Sequence, residues 1–445
     1  MTDTTNSLGT QKINKLLIKQ AIPASIGILV MSLNMIVDTI FVGQWIGSMA
    51  IAAITVVLPI VFLISSIGMG IGIGGSSIIS RAFGAKDVNK AYLTFGNQIS
   101  LTLALSIFFV SIGILFYKPL LLLFGANGAI LNPATAYFNV VLYGVPFLAF
   151  AMMGNPVIRA EGKPKFAMYA MILPAISNIL LDIIFIKFLD LGMFGAGLAT
   201  SISYAVCGLF IFSFFLSSKS ELVIKPNYFL LKLSIVKEII QLGGVTIARQ
   251  GTISVLMIVL NATLFTYGGE NAIAVYGIIN RVMMFALFPV LGVTQGFLPI
   301  AGYNYGAKNS DRVKEVIKMA ILYGSAVATL IFLGIMTFPE AIASIFTSDA
   351  ALIEETPKAL MYVFLATPVI TAQLIGSAYF QAAGKALPAL LLTLLKQGIF
   401  LIPLVYLLPK FFGLNGVWFS FPIADVLATF VTLTFLRLEV RKNLN

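Results

Sequence analysis

The chain has 445 residues, of which 59% are hydrophobic and 10% charged, and its mean hydropathy is +1.00. That is too little polar surface to clothe a soluble domain of this size, so lipid is the solvent for most of the chain. The absence of histidine excludes the usual zinc sites and His-based triads, the single Cys207 excludes disulfides within the chain, and the net charge of +11 lies largely in short loops between apolar runs, a membrane-orienting pattern and not a nucleic-acid-binding face.

The polar opening from Met1 to Thr10 lacks a basic n-region and a cleavage signal, so the first apolar run is expected to remain as a membrane span. Apolar runs long enough to cross a hydrocarbon core predict spans over 15–42, 51–78, 91–117, 135–158, 166–187 and 194–216. A second set follows over 236–266, 272–301, 314–338, 359–381, 387–409 and 414–436. The fold class is therefore an all-α membrane protein of twelve transmembrane helices. Alternate loops are rich in Lys and Arg, from Lys12, Lys15 and Lys19 to Arg437, Arg441 and Lys442, while the loop at 339–357 is acidic. The positive-inside rule then places both termini in the cytoplasm of a multi-pass protein of the inner membrane.

The two sets are copies. FGAKD at Phe83 to Asp87 matches YGAKN at Tyr305 to Asn309, AEGKP at Ala160 to Pro164 matches AAGKA at Ala382 to Ala386, and the glycines keep one offset (306 − 84 = 222). Gly70 and Gly74 meet Gly292 and Gly296 at the same offset. The expected organisation is an N-terminal lobe over 1–216, a cytoplasmic linker over 217–235 and a C-terminal lobe over 236–445. Even-numbered parallel repeats of this kind are a plan of alternating-access transporters.

Ionisable residues inside spans are unfavourable in hydrocarbon and point to cavities or partners. Asp38 in span 1 and Asp182 in span 5 lie at similar depth, Asn178 is one turn before Asp182, and Thr200 in span 6 is at that depth again. Two carboxylates, an amide oxygen and a hydroxyl suit a proton or a hard monovalent cation, so Na⁺ at Asp38, Asn178, Asp182 and Thr200 is one expectation and H⁺ the other. The alternative is that each aspartate bonds a neighbouring helix. Pro23 and Pro174 are expected to bend the helices that bear these acids. In the second half Arg249, Arg281, Lys396 and Asp425 are polar candidates, either for fixed ion pairing or for a gating or substrate role. Asn261 and Leu260 stand where the second half could have carried an acid. Gly68, Gly70, Gly72, Gly74 and Gly75 have no GK[ST] ending and read as close helix packing, while Met31 and Met35 are candidates for lining an adaptable cavity.

Pro23 followed by VDTIFVG at Val37 to Gly43, RAFG at Arg81 to Gly84, RAEGKP at Arg159 to Pro164, SNILLD at Ser177 to Asp182 and GAGLAT at Gly195 to Thr200 together resemble the multidrug and toxic compound extrusion (MATE) family along essentially the whole chain. The resemblance implies two pseudo-symmetric six-helix lobes and antiport of cationic or amphipathic drugs against H⁺ or Na⁺, with no other cofactor and no enzymatic reaction. It maps the coupling residues of the branch with an acidic N-lobe site onto Asp38, Asn178, Asp182 and Thr200. Tyr137 and Asn155 resemble the family's accessory polar residues, and Asn34, Met31 and Met35 complete the accessory or substrate-cavity set. The expected partners are small drugs and membrane lipid, with no nucleic acid and a functional monomer. A lipid-linked oligosaccharide flippase is the alternative within the same broad superfamily, and an integral membrane enzyme a rival of another class.

Overall fold

The computed structural model describes residues 3–444, so Met1, Thr2 and Asn445 lie outside it. The helices are α1 (Asp3–Thr10), α2 (Ile13–Trp45), α3 (Ser48–Gly84), α4 (Val88–Leu123), α5 (Leu131–Ala160), α6 (Pro164–Asp182) and α7 (Gly192–Leu216). They continue with α8 (Leu233–Gly306), α9 (Ser310–Thr337), α10 (Pro339–Phe346), α11 (Ala350–Phe364), α12 (Ile370–Ala382), α13 (Ala386–Leu394), α14 (Ile402–Leu407), α15 (Pro409–Phe412) and α16 (Leu414–Asn443). Two π-helical stretches, Ile183–Phe188 and Leu395–Leu401, extend α6 and α13.

Among the described residues, eleven helical stretches are long and apolar enough to cross a membrane, and one of them, α8, has 74 residues. At 1.5 Å per residue that is ~110 Å, several times a hydrocarbon core. The chain departs from helical geometry at Gly269 (φ 63°, ψ −156°), which divides α8 into two spans and brings the total to the expected twelve. The sequence did not foresee α1, in which Thr5 and Leu8 are buried, or α10, whose Pro339 starts a short helix inside the acidic loop.

The duplication is written into the backbone. Lys86 (φ 59°) and Lys308 (φ 55°) hold the left-handed region at equivalent positions, as do Gly47 and Gly269, and Gly162 and Gly384. One residue later Asp87 accepts from Lys90 N at 3.0 Å and Asn309 from Arg312 N at 3.3 Å, so the same cap opens the third span of each copy.

The described residues pack as two units whose borders differ from the expected lobes. The first holds Ile26–Thr246 together with the stretch up to Ser7, and the second holds Leu8–Ser25 and the chain from Ile247 onward. Each copy thus lends the opening of its first span to the other unit, and α2 changes unit just after Pro23. Glycine makes this possible in both. In the first unit a Cβ on Gly74 would lie 2.9 Å from Gly243 N, and in the second a Cβ on Gly296 would lie 2.9 Å from Ala21 N. The alternate glycines Gly68 and Gly72 face α5, where a Cβ would meet Ala149 O at 2.8 Å and Met153 O at 2.7 Å. The glycine stripe is therefore a two-sided helix-packing surface.

Residues 217–235 are likewise part of the first unit. Asn97 on α4 donates to Tyr228 O (3.3 Å) and Leu230 O (3.1 Å) and accepts from Lys232 N (2.7 Å), while Ser100 donates to Phe229 O at 2.7 Å. At the other end Ser220 Oγ and Glu221 N donate to the carboxylate of Glu161 at 2.8 and 3.1 Å. Thr5 on α1 donates to Glu161 O at 3.2 Å and to the Glu221 carboxylate.

Candidate functional site

In the first unit α2 and α6 present the same pattern, an amide and one turn later a carboxyl. Asn34 Nδ2 donates to Asn178 Oδ1 at 3.1 Å. One turn on, the side chains of Asp38 and Asp182 meet. Asp182 is 0% exposed and Asn178 5%, whereas Asp38 is half-buried. Asp182 is the last residue of α6 before the π-helical stretch, a local widening that recurs at functional sites. Neither oxygen of Asp182 has a hydrogen-bond donor among the described residues, and Asn178 Nδ2 and Asn34 Oδ1 are also without partners.

Two carboxyls in contact in apolar surroundings cannot both carry an uncompensated charge, so this pair calls for a shared proton or a bound cation. The donor set fits either. Asp182 offers two unused oxygens, Asn178 Oδ1 retains a second lone pair, and all the candidate ligands are hard oxygens.

Thr200 joins through Tyr137. Its hydroxyl donates to Ala196 O (3.0 Å) and lies 3.4 Å from Tyr137 Oη, and Tyr137 in turn is within electrostatic reach of both Asp38 and Asp182. Tyr137 is 5% exposed and sits in the core of the unit with Phe138, Ile186 and Met193. The sequence reading missed Tyr204, which is within electrostatic reach of Asp38. Its one available signal was a position one turn beyond Thr200 on α7.

Asn155 does not join this cluster, and that expectation is corrected. It follows Tyr137 on α5 by 18 residues, ~27 Å of helical rise. There it donates to Ala167 O at 2.7 Å and accepts from Arg159 Nε at 3.1 Å, taking one N–H of a buried guanidinium. Met31 and Met35 are exposed on α2, and Pro174 O in α6 accepts from Ser177 at 3.1 Å.

The second unit has no equivalent of the acid pair. Leu260 is fully buried in its core with Leu256 and Trp418, and Asn261 is exposed. Lys396, within the second π-helical stretch, pairs with Asp425 at 2.6 Å, so two of the four C-lobe candidates form an ion pair. Arg249 is half-buried and Arg281 exposed, and neither has a hydrogen bond or ion pair among the described residues.

The multidrug export protein MepA of Staphylococcus saprophyticus is 29% identical over 419 residues, covering 93% of this chain and 91% of its own. MepA of Staphylococcus aureus strain MRSA252 is 29% identical over 424 residues with the same coverage. Among solved structures, an outward-facing multidrug resistance MATE family transporter of the MOP superfamily superimposes with a TM-score of 0.93 at 28% identity, covering 99% of this chain and 98% of its own. The MatE family model matches residues 23–184 and 246–407, one stretch in each copy of the repeat. With the model matched over most of the chain and the twelve-span helical fold shared throughout, this multi-pass membrane protein belongs to the MATE family.

Proposed function

We propose that the protein is a secondary active exporter of cationic and amphipathic drugs, driven by inward movement of H⁺ or Na⁺ through the Asp38 and Asp182 pair. The observation that carries this reading is a carboxyl pair formed between two spans, whose buried member has no donor for either oxygen among the described residues. Such a pair is stable when a cation is shared and repulsive when it is empty, so its occupancy can bias a two-state transporter. Asn34 holds Asn178 by its hydrogen bond, and Tyr137 lies beside Thr200, which supports an amide and a hydroxyl contributing to the site next to the two acids. Cation binding and drug binding favour opposite states of an alternating-access cycle in which both termini are cytoplasmic and the membrane is the inner membrane. At 100 mV each inward charge contributes roughly 2.3 kcal/mol, enough for a drug gradient of about fifty-fold.

The test is drug export from proteoliposomes under separately imposed pH and sodium gradients. Asp38→Asn and Asp182→Asn should abolish gradient-driven export while the purified proteins remain monodisperse, and the gradient that drives the wild type identifies the ion. Undiminished export by either variant would remove the mechanism.

A further inference from the structure

The loop after the fourth span is tied down in both copies of the repeat, but by different chemistry. In the second copy Lys385, one residue before α13, pairs with the carboxylate of Glu439 near the end of α16, and Tyr379 Oη and Asn443 Nδ2 donate to that carboxylate at 3.3 and 2.9 Å. The first copy keeps a lysine, Lys163, at the position of Lys385, yet has Ser217 at that of Glu439, so it has no such pair to form. Its acid stands elsewhere, at Glu161, where the second copy has Ala383.

Glu161 lies between α5 and α6, three residues before Pro164, and is 0% exposed. Its carboxylate accepts from Ser220 Oγ at 2.8 Å and Glu221 N at 3.1 Å, and Leu222 N donates to Ser220 Oγ at 3.1 Å, so the turn at 220–222 closes over the acid. Thr5, equally buried on the first half of α1, seats on both partners at once, through Glu161 O at 3.2 Å and the Glu221 carboxylate. All of these residues belong to the first unit. The titratable groups facing Glu161 are Glu221 on the turn and Tyr92 on α4, and no Lys or Arg among the described residues acts on it. Burial lifts this carboxyl from 4.5 to about 7, and the donors on its oxygens only partly oppose that rise.

We propose that Glu161, the turn at 220–222 and the first half of α1 form a latch, closed when Glu161 is protonated and loosened when it is ionised, by which the pH at that face regulates how firmly the start of α6 is held. The regulated helix is the one that carries Asn178 and Asp182. The latch stands without the export reading, which enters only in making that face cytoplasmic. Its sign follows from linkage: the closed latch holds the proton more tightly than an open one whose carboxyl is hydrated. Closure is therefore favoured most below pH 4.5, and the advantage declines as pH rises and is gone above 7. Between pH 6 and pH 8 the closing equilibrium should fall by about ten-fold.

Amide hydrogen exchange of the full chain in lipid nanodiscs, at pH 6 and pH 8 and corrected for the intrinsic rates, tests this. In the wild type the protection of α1 and of 217–225 should fall by about ten-fold between the two pH values, while 382–386, the loop that the second copy ties with an ion pair, keeps its own. Glu161→Gln, neutral throughout, should hold the same protection at both. A wild type that exchanges alike at the two pH values, a glutamine variant that changes with pH as the wild type does, or a fall shared by 382–386 overturns the proposal. Should Glu161→Gln fail to fold, Thr5→Val decides: it removes the hydroxyl and keeps the acid, so α1 must lose protection at pH 6, and α1 as well protected as in the wild type overturns the latch.

Discussion

Gly74 and Gly243 touch backbone to backbone: a Cβ on Gly74 would lie 2.9 Å from Gly243 N, so α3 and the opening of α8 approach as closely as two helices can. This contact seats the segment that the second copy of the repeat lends to the first unit. Gly74→Val must push backbone apart, and a destabilisation of about 1–3 kcal/mol is expected. Gly244 is the control, since nothing lies within 4 Å of its Cβ position. Gly244→Ala should be neutral or more stable by up to ~1 kcal/mol, as helix propensity dictates. Thermal unfolding of the two variants in one detergent checks both.

Asn34 does not reach the acids in this structure but holds Asn178 by a 3.1 Å hydrogen bond. Asn34→Ala removes that hold and leaves Asp38 and Asp182 in place. The apparent affinity for the coupling ion should fall by roughly ten-fold, the worth of one buried hydrogen bond, with the maximal export rate little changed. Ion titrations of export, comparing the half-saturating concentration with the maximal rate, separate these two effects.

Glu161 is fully buried just beyond the end of α5, and burial pushes its carboxyl up from the ordinary 4.5 to about 7, with the nearby Glu221 carboxylate acting in the same direction and the Ser220 and Glu221 N–H donors against it. The folded chain therefore holds this proton more tightly than the unfolded chain. The resulting stabilisation is complete below pH 4.5, declines as pH rises toward 7 and is absent above it. The loss is on the order of 3 kcal/mol. Unfolding measured at pH 5 and pH 8 should show the wild type losing stability relative to Glu161→Gln across that window. A constant difference between the two proteins would show that Glu161 does not titrate there.

Lys396 and Asp425 are paired in the interior of the second unit, with side chains 26% and 7% exposed. Lys396→Met leaves Asp425 without its partner and should destabilise by about 3 kcal/mol. The double variant Lys396→Met with Asp425→Leu should recover most of that loss, because removing both charges ends the desolvation penalty. A double-mutant cycle by thermal unfolding gives the coupling directly.

The span pattern was legible because hydropathy is a local property: an apolar run of sufficient length has to become a helix in lipid, whatever its neighbours. The 222-residue register was legible for the same reason, and the paired backbone conformations at Lys86 and Lys308 match it. Within the candidate site, spacing puts Asn178 and Asp182 on one helical face and depth puts Asp38 level with them, whereas the hydrogen bond by which Asn34 holds Asn178 appears only in the structure. Asn155 misled, because family-like position on a helix says nothing of depth once 18 residues intervene, and Tyr204 went unseen because one aromatic among many apolar neighbours carries no signal.

By itself, the sequence determined that this chain dissolves in a membrane as two copies of six spans, since burial of apolar surface and the penalty on intramembrane charge act residue by residue. Only the tertiary structure decided which segment packs with which copy, that Leu8–Ser25 and the opening of α8 change units, that Lys396 chooses Asp425, and that Arg249 is left without an acid. Those outcomes depend on backbone-to-backbone approach and on side chains from distant parts of the chain meeting at bonding distance, and neither is encoded in the order of apolar and polar residues.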